Sequence, residues 1–357
     1  MTTTEADRLR HVLRADIQGL HGYAVQPSAG LVKLDTMENP YRLPPPLQAQ
    51  LGERLASVAL NRYPAERIDD LRAALARHAQ LPEGCALMLG NGSDELISLL
   101  TQALVPGATV LAPVPGFVMY GLAAQLAGRA FVGVPTTADF ALDGPALLAA
   151  VERHQPALIW LAYPNNPTAN LWDDAVIDAV IARAPGLVVM DEAYQPFAAR
   201  DSLARLQRHP HVLLMRTLSK FGLAGVRVGY LMGRTAWINQ FEKLRPPFNV
   251  SVLNAEAALF ALEHEAEYAA QAAAIRAERE RLLAALPALC QQVYPSQANM
   301  ILVRVADADA TFAALKAHGV LVKNVSGLHP LLAHCLRLTV GTPAENDRLL
   351  AALRKSP

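Results

Sequence analysis

Between residues 85 and 233, six short and continuously apolar runs alternate with amphipathic stretches, and that alternation leaves few folds open to the chain. The runs are CALMLG, TVLAPV, ALIWLAYP, GLVVMDEAY, HVLLMRTLSK and VRVGYLMG, and helical patterns such as DELISLLTQAL and WDDAVIDAVIARA lie between most of them. Strands that are apolar at every position, instead of every second one, are covered by helices on both faces. The expectation is an α/β chain with a mostly parallel sheet, its ligands held beyond the C-terminal strand ends.

At 357 residues the chain exceeds one ordinary core, so a large domain plus a smaller one is expected. The Ala-rich, Glu/Arg-laced stretch 254–289 reads as one long helix, with the charges around Arg276 to Arg281 on a wet face. Beyond it, NMILVRV, DATFAALKAHG, VLVKNV, CLRLTVG and ENDRLLAALRK repeat the strand and helix pattern on a smaller scale. The proline-rich segment 19–46 suits an extended arm that serves as a packed linker or contributes to a site. The division expected is an N-terminal arm and part of the small domain over 1–50, a large domain over 51–260, and a small C-terminal domain over 261–357.

Charge and cysteine content narrow the function. Lys plus Arg equals Asp plus Glu at 32 each, so no overall field draws the chain to nucleic acid or an anionic membrane. Cys85, Cys290 and Cys335 are odd in number and far apart, which argues for a reducing compartment. The polar N-terminus and the lack of a long apolar run point to a cytoplasmic protein. No histidine has ligand spacing for a metal, and no nucleophile elbow is present.

Five constellations fall at or just past predicted strand ends. Gly92, Ser93 and Asp94 open a helix, where free backbone N–H groups favour a phosphate, although Asn-Gly at 91–92 is also an ordinary turn. Asp191 ends an apolar strand, where an unpaired charge is costly; it serves either as a cap or as partner to a protonated pyridine nitrogen. Tyr194, on the same turn, and Asn166, in the tight YPNNPTAN turn, are donors for a ring oxygen. Phe117 is the candidate to stack on the ring and Tyr120 the lesser one, since an aromatic there is more often core. Lys220 would form an imine, with Ser219 and Arg227 on a phosphate. Together these parts describe a site for pyridoxal 5′-phosphate. Arg337, on an apolar strand, requires an anion such as a substrate carboxylate or phosphate, and Lys323 assists or is a plain surface lysine.

With Asn-Pro-Thr, Asp-Glu-Ala-Tyr and Ser-Lys followed by GLAGVRVGY in view, the chain resembles the fold type I pyridoxal-phosphate aminotransferases over nearly its whole length. Within that group, MENP (37–40), RYP (62–64), GSDE (92–95) and CLRLTVGTPAEN (335–346) look like the histidinol-phosphate aminotransferases. The resemblance implies that Lys220 binds the cofactor covalently and Asp191 pairs with its ring nitrogen. It gives Asn166 and Tyr194 the ring oxygen, and Gly92, Ser93, Asp94, Ser219 and Arg227 the phosphate side. Tyr63 would reach the phosphate of a second subunit's cofactor in a homodimer with shared active sites. Arg337, Tyr23, Asn39 and Lys323 would face the substrate.

Some positions depart from the family pattern: Ala169 stands where glycine is usual, Phe117 where tyrosine is frequent, and Lys323 near where arginine is often found. The segment after Lys220 also differs in length. The implied reaction moves an amino group between glutamate/2-oxoglutarate and histidinol phosphate/imidazole acetol phosphate, in histidine biosynthesis. The alternative is another enzyme of the same scaffold, such as an aromatic aminotransferase or an amino-acid phosphate decarboxylase. A non-catalytic ligand sensor is disfavoured because no helix-turn-helix or basic extension precedes the domain.

Overall fold

In the computed structural model, which describes residues 4–20, 22 and 26–357, the apolar runs become neighbours in one seven-stranded sheet. Its order is Cys85–Asn91, Val228–Arg234, Val212–Thr217, Leu187–Asp191, Leu158–Ala162, Thr109–Val114 and Ala130–Pro135. Val228–Arg234 runs antiparallel to both neighbours, and every other pairing is parallel. The reversal has a local cause. The link 218–227 is shorter than the dozen or more residues a parallel crossover needs.

Successive residues of these strands enter different cores, which explains their unbroken hydrophobicity. Leu87, Leu89, Leu111, Ile159 and Leu161 pack on one face with helices Ala65–His78, Gly144–His154 and Asp174–Arg183. Met88, Val110, Ala112, Leu158 and Trp160 pack on the other with Ser93–Gln102 and Met119–Leu126. Helices on both faces leave the C-terminal strand ends as the open rim.

Residues after 290 build a second, antiparallel sheet in the order Lys323–Asn324, Cys335–Thr339, Met300–Arg304 and Gln292–Val293. Val32–Lys33 joins this end of the chain by pairing in parallel with Val320–Leu321. The described residues up to Gly30 belong to a separate compact unit, in which helix Glu5–Val12 begins with a reciprocal Thr4 and Asp7 cap. Tyr23 lies outside the described residues. Among the described residues, no helix is long and apolar enough to cross a membrane.

Two details differ from expectation. The long helix is two, Val252–Glu263 and Glu265–Ala285, broken at His264 with φ −112° and ψ 33°. Composition predicts helix on either side of that break but carries no signal for the break itself. Nor is the charged stretch wholly wet: Arg279 is buried and donates from Nη1 to the carbonyls of Phe197 (3.1 Å) and Ala298 (3.3 Å). Arg281 does behave as expected, paired with Glu278 at 2.8 Å across one helical turn, and Glu280 is exposed.

Candidate active site

The rim assembles from adjacent strand ends. Asp191 closes its strand opposite Met215, and Lys220 follows three residues after the end of that neighbouring strand at Thr217. On the other side, Ala162 lies opposite Asp191 and leads into Asn166. Phe117 and Tyr120 follow Val114, the end of the next strand, while Asn91 lies opposite Val228 and so places Gly92 beside Arg227.

Asp191 is buried. The Tyr120 hydroxyl donates to its Oδ2 at 2.6 Å and the Ala193 N–H to its Oδ1 at 3.1 Å. Among the described residues no cation pairs with it. Burial pushes its carboxyl up to about 6, against the two hydrogen bonds, with the Asp94 charge adding to the rise. Burial likewise raises the Tyr194 phenol well above its ordinary value.

Lys220 sits in a short π-helical turn, Ser219–Leu223, that Gly222 makes possible. Gly222 has φ +144°, and a Cβ there would stand 2.8 Å from the Tyr268 ring and 3.1 Å from the Asn39 amide. The Lys220 amine donates to the Thr36 carbonyl at 2.9 Å. Burial first, and the nearby Arg337 charge second, pull it down to about 8.

Arg227 adopts the left-handed region at φ +54°, which swings its guanidinium over Gly92; a Cβ on Gly92 would collide with it. Its Nη1 lies 3.4 Å from Ser219 Oγ and its Nη2 3.5 Å from Asp94 Oδ2, both long contacts. With the opening N–H groups of helix Ser93–Gln102, these residues form a cradle for a phosphate. Gly229 permits the close approach, since a Cβ there would lie 2.6 Å from the Ser93 nitrogen.

Arg337 lies in register with Leu302 on one side and Lys323 on the other. Its Nη1 donates to Asn166 Oδ1 and its Nη2 to the Asp35 carbonyl, both at 2.7 Å. With the Asn166 oxygen engaged, its –NH₂ is what remains to serve a ligand.

The other sequence candidates fall in distinct places. Phe117 meets Tyr120 edge-on at 5.6 Å, while Tyr120 stacks on Trp160 at 4.8 Å and is fully buried. Asn39 donates to Gln271 Oε1 (2.9 Å) and the Phe221 carbonyl (3.4 Å), and accepts from the Tyr41 N–H (2.9 Å), so it braces the Lys220 turn. Tyr63 is 77% exposed and stacks on Phe248, itself 44% exposed, at 4.4 Å. Sequence reasoning missed the carbonyls of Asp35 and Thr36 and the hydroxyl of Tyr120. Backbone carbonyls carry no residue signature, and a tyrosine in an apolar helix looks like core.

The donor set fits a phosphorylated aromatic aldehyde with a basic ring nitrogen: an amine, a buried carboxylate lacking a cation, and a cradle that a Cβ would fill. The model for the family aminotransferase class I and II matches residues 29–353. A histidinol-phosphate aminotransferase of Methylibium petroleiphilum is 69% identical over 98% of this chain and 95% of its own length. The chain belongs to the histidinol-phosphate aminotransferases. Another member, from Polaromonas naphthalenivorans, is 60% identical over 98% of this chain and 97% of its own length. The crystal structure of the Sinorhizobium meliloti member in complex with pyridoxal 5′-phosphate superposes with a TM-score of 0.83, at 28% identity, over 96% of this chain and 97% of that one. These matches support the mixed α/β fold read above.

Proposed function

We infer that the chain uses pyridoxal 5′-phosphate to transfer an amino group between histidinol phosphate/imidazole acetol phosphate and 2-oxoglutarate/glutamate, the step known from histidine biosynthesis. The observation that carries this reading is the Lys220 amine on a carbonyl, three residues past the strand end that neighbours Asp191, a buried carboxylate with no cation among the described residues. The 69%-identical histidinol-phosphate aminotransferase supplies the substrate.

When bound, the cofactor supplies an aldehyde carbon and an aromatic ring that accepts electron density from the substrate's α-carbon. The residues of the chain do the rest. Lys220 Nζ, whose lowering to about 8 puts more of it in the neutral form near neutral pH than an ordinary lysine has, would hold the cofactor covalently and, once the substrate displaces it, carry the proton taken from the α-carbon. Asp191 stays ionised above about 6 and holds a proton on the ring nitrogen. Asn166 and Tyr194 orient the ring through its oxygen. Phe117 stacks on it. Gly92, Ser93, Asp94, Ser219 and Arg227 hold the phosphate side. Arg337, with Lys323 opposite it, exchanges its present partners for the substrate's phosphate or carboxylate.

The exposed Tyr63 and Phe248 pair is the patch we assign to a second copy, with Tyr63 reaching that copy's phosphate. Asn39 supports the substrate side through its hold on the Lys220 turn. The large body spans 51–260 and the smaller one 261–357 with residues 31–50, consistent with the pairing of Val32–Lys33 with Val320–Leu321. Three free thiols fit a reducing cytoplasm.

Steady-state turnover with 2-oxoglutarate as acceptor tests this. Histidinol phosphate should exceed phenylalanine, which has no phosphate for Arg337, by at least about tenfold in kcat/KM. Comparable turnover of phenylalanine, or carbon dioxide release from threonine phosphate, would contradict it.

A further inference from the structure

We propose that Tyr120 is a positioning residue for the cofactor, its hydroxyl orienting the Asp191 carboxylate and keeping it ionised toward the ring nitrogen. This rests on the reading of Asp191 given above and adds a role for a residue that touches no substrate.

The geometry makes the case. Asp191 ends one strand and Tyr120 lies in the helix Met119–Leu126 that follows another, and the two strands are not neighbours, because Leu158–Ala162 lies between Leu187–Asp191 and Thr109–Val114. That intervening strand carries Trp160, whose indole lies flat beneath the Tyr120 ring at 4.8 Å and 4°. Trp160 therefore acts as a spacer, setting the height at which the phenol crosses to Asp191 Oδ2 at 2.6 Å. Phe117 meets the Tyr120 ring edge-on at 5.6 Å. A phenol held by two ring contacts, with its O–H on a buried carboxylate, is preorganised; mere space filling needs no hydroxyl.

The direction of the effect follows. A neutral donor to the carboxylate favours its charged form, opposing the burial that favours the protonated form. The groups facing Asp191 are Tyr120, Tyr194 on its own turn, and Asp94 from helix Ser93–Gln102, and of these Tyr120 alone donates to it. Removing that donor leaves a carboxylate that holds its own proton more readily and charges the ring nitrogen less.

The test is a double-mutant cycle read by cofactor affinity and by the pH midpoint of the cofactor's visible band in the loaded protein. Tyr120→Phe keeps the ring on Trp160 and should weaken cofactor binding about tenfold while shifting the midpoint. In an Asp191→Asn background the same change should have almost no effect. Equal losses in both backgrounds, an unmoved midpoint, or a Tyr120→Phe chain that fails to fold without cofactor would each overturn the assignment in favour of packing. Asp191→Asn alone separates the two readings: if it leaves affinity unchanged, the underlying role of Asp191 falls, whereas if only Tyr120→Phe is silent, the Tyr120 inference falls by itself.

Discussion

Two buried carboxylates stand side by side at one strand end, and the regions around them are built on opposite principles. Behind the rim, Glu192 is fully compensated: Arg216 pairs with it at 2.9 Å, the Ser202 N–H donates at 2.5 Å, and Asp201 takes a second guanidinium contact at 3.3 Å. At the rim, Asp191 has only neutral donors, the Lys220 amine rests on a carbonyl, and Arg227 keeps its partners at 3.4 Å and beyond. Burial raises both carboxyls, to about 7 for Glu192 and about 6 for Asp191, so burial alone does not tell them apart. The counter-charge does. A closed network serves the fold, whereas rim charges held only by neutral groups or by long contacts are reserved for a ligand.

The comparison breaks most visibly at Arg216. Arg216→Met strands Glu192 in the core and should cost about 3–5 kcal/mol of stability. Because the Glu192 value is then pushed still further above its unfolded one, the folded state binds the extra proton. The loss should therefore grow as pH rises, and urea unfolding at pH 5 and pH 8 would show it.

Asp191→Asn should do the reverse in the cofactor-free chain. The folded Asp191 value of about 6 lies above its ordinary 3.8, so the wild-type chain loses stability as pH rises through that interval. Asparagine carries no such penalty. The variant should match the wild type near pH 4 and exceed it by about 1–3 kcal/mol above pH 6, with weaker cofactor binding as the functional cost. A variant destabilised at every pH would place Asp191 with Glu192 as a structural group.

The smallest effect concerns Lys220 and Arg337. Capture of the cofactor by the empty chain should accelerate as pH rises and level off above about 8, where the amine is neutral. Arg337→Gln, which removes the second cause of the lowering, should move that midpoint upward by less than about one pH unit. Stopped-flow mixing across pH 6 to 10 measures both.

The closed and open regions were not equally legible in the sequence. Apolar runs such as ALIWLAYP and HVLLMRT declare buried parallel strands, and so the sequence alone places the rim at Asp191, Asn166 and Lys220. Arg227 and Gly92 were legible for the same reason, as residues flanking strand ends. Ala169 was readable too: the turn requires φ +62°, and the chain supplies it without the usual glycine. What sequence withheld depends on contacts between distant residues. The Arg337 to Asn166 bond spans 171 positions, and the Asp35 and Thr36 carbonyls that hold Arg337 and Lys220 have no side-chain signature. The break at His264 and the burial of Arg279 follow from packing against other elements, which local periodicity does not encode.

The central claim is that the cofactor is joined to the chain at Lys220. Borohydride reduction of the loaded enzyme, followed by proteolysis and mass mapping, tests it most directly. The account predicts one cofactor adduct per chain, on the peptide containing Lys220, and none in Lys220→Ala. An adduct on Lys33, Lys323 or any other lysine of the wild-type chain, or undiminished labelling of Lys220→Ala, would contradict it.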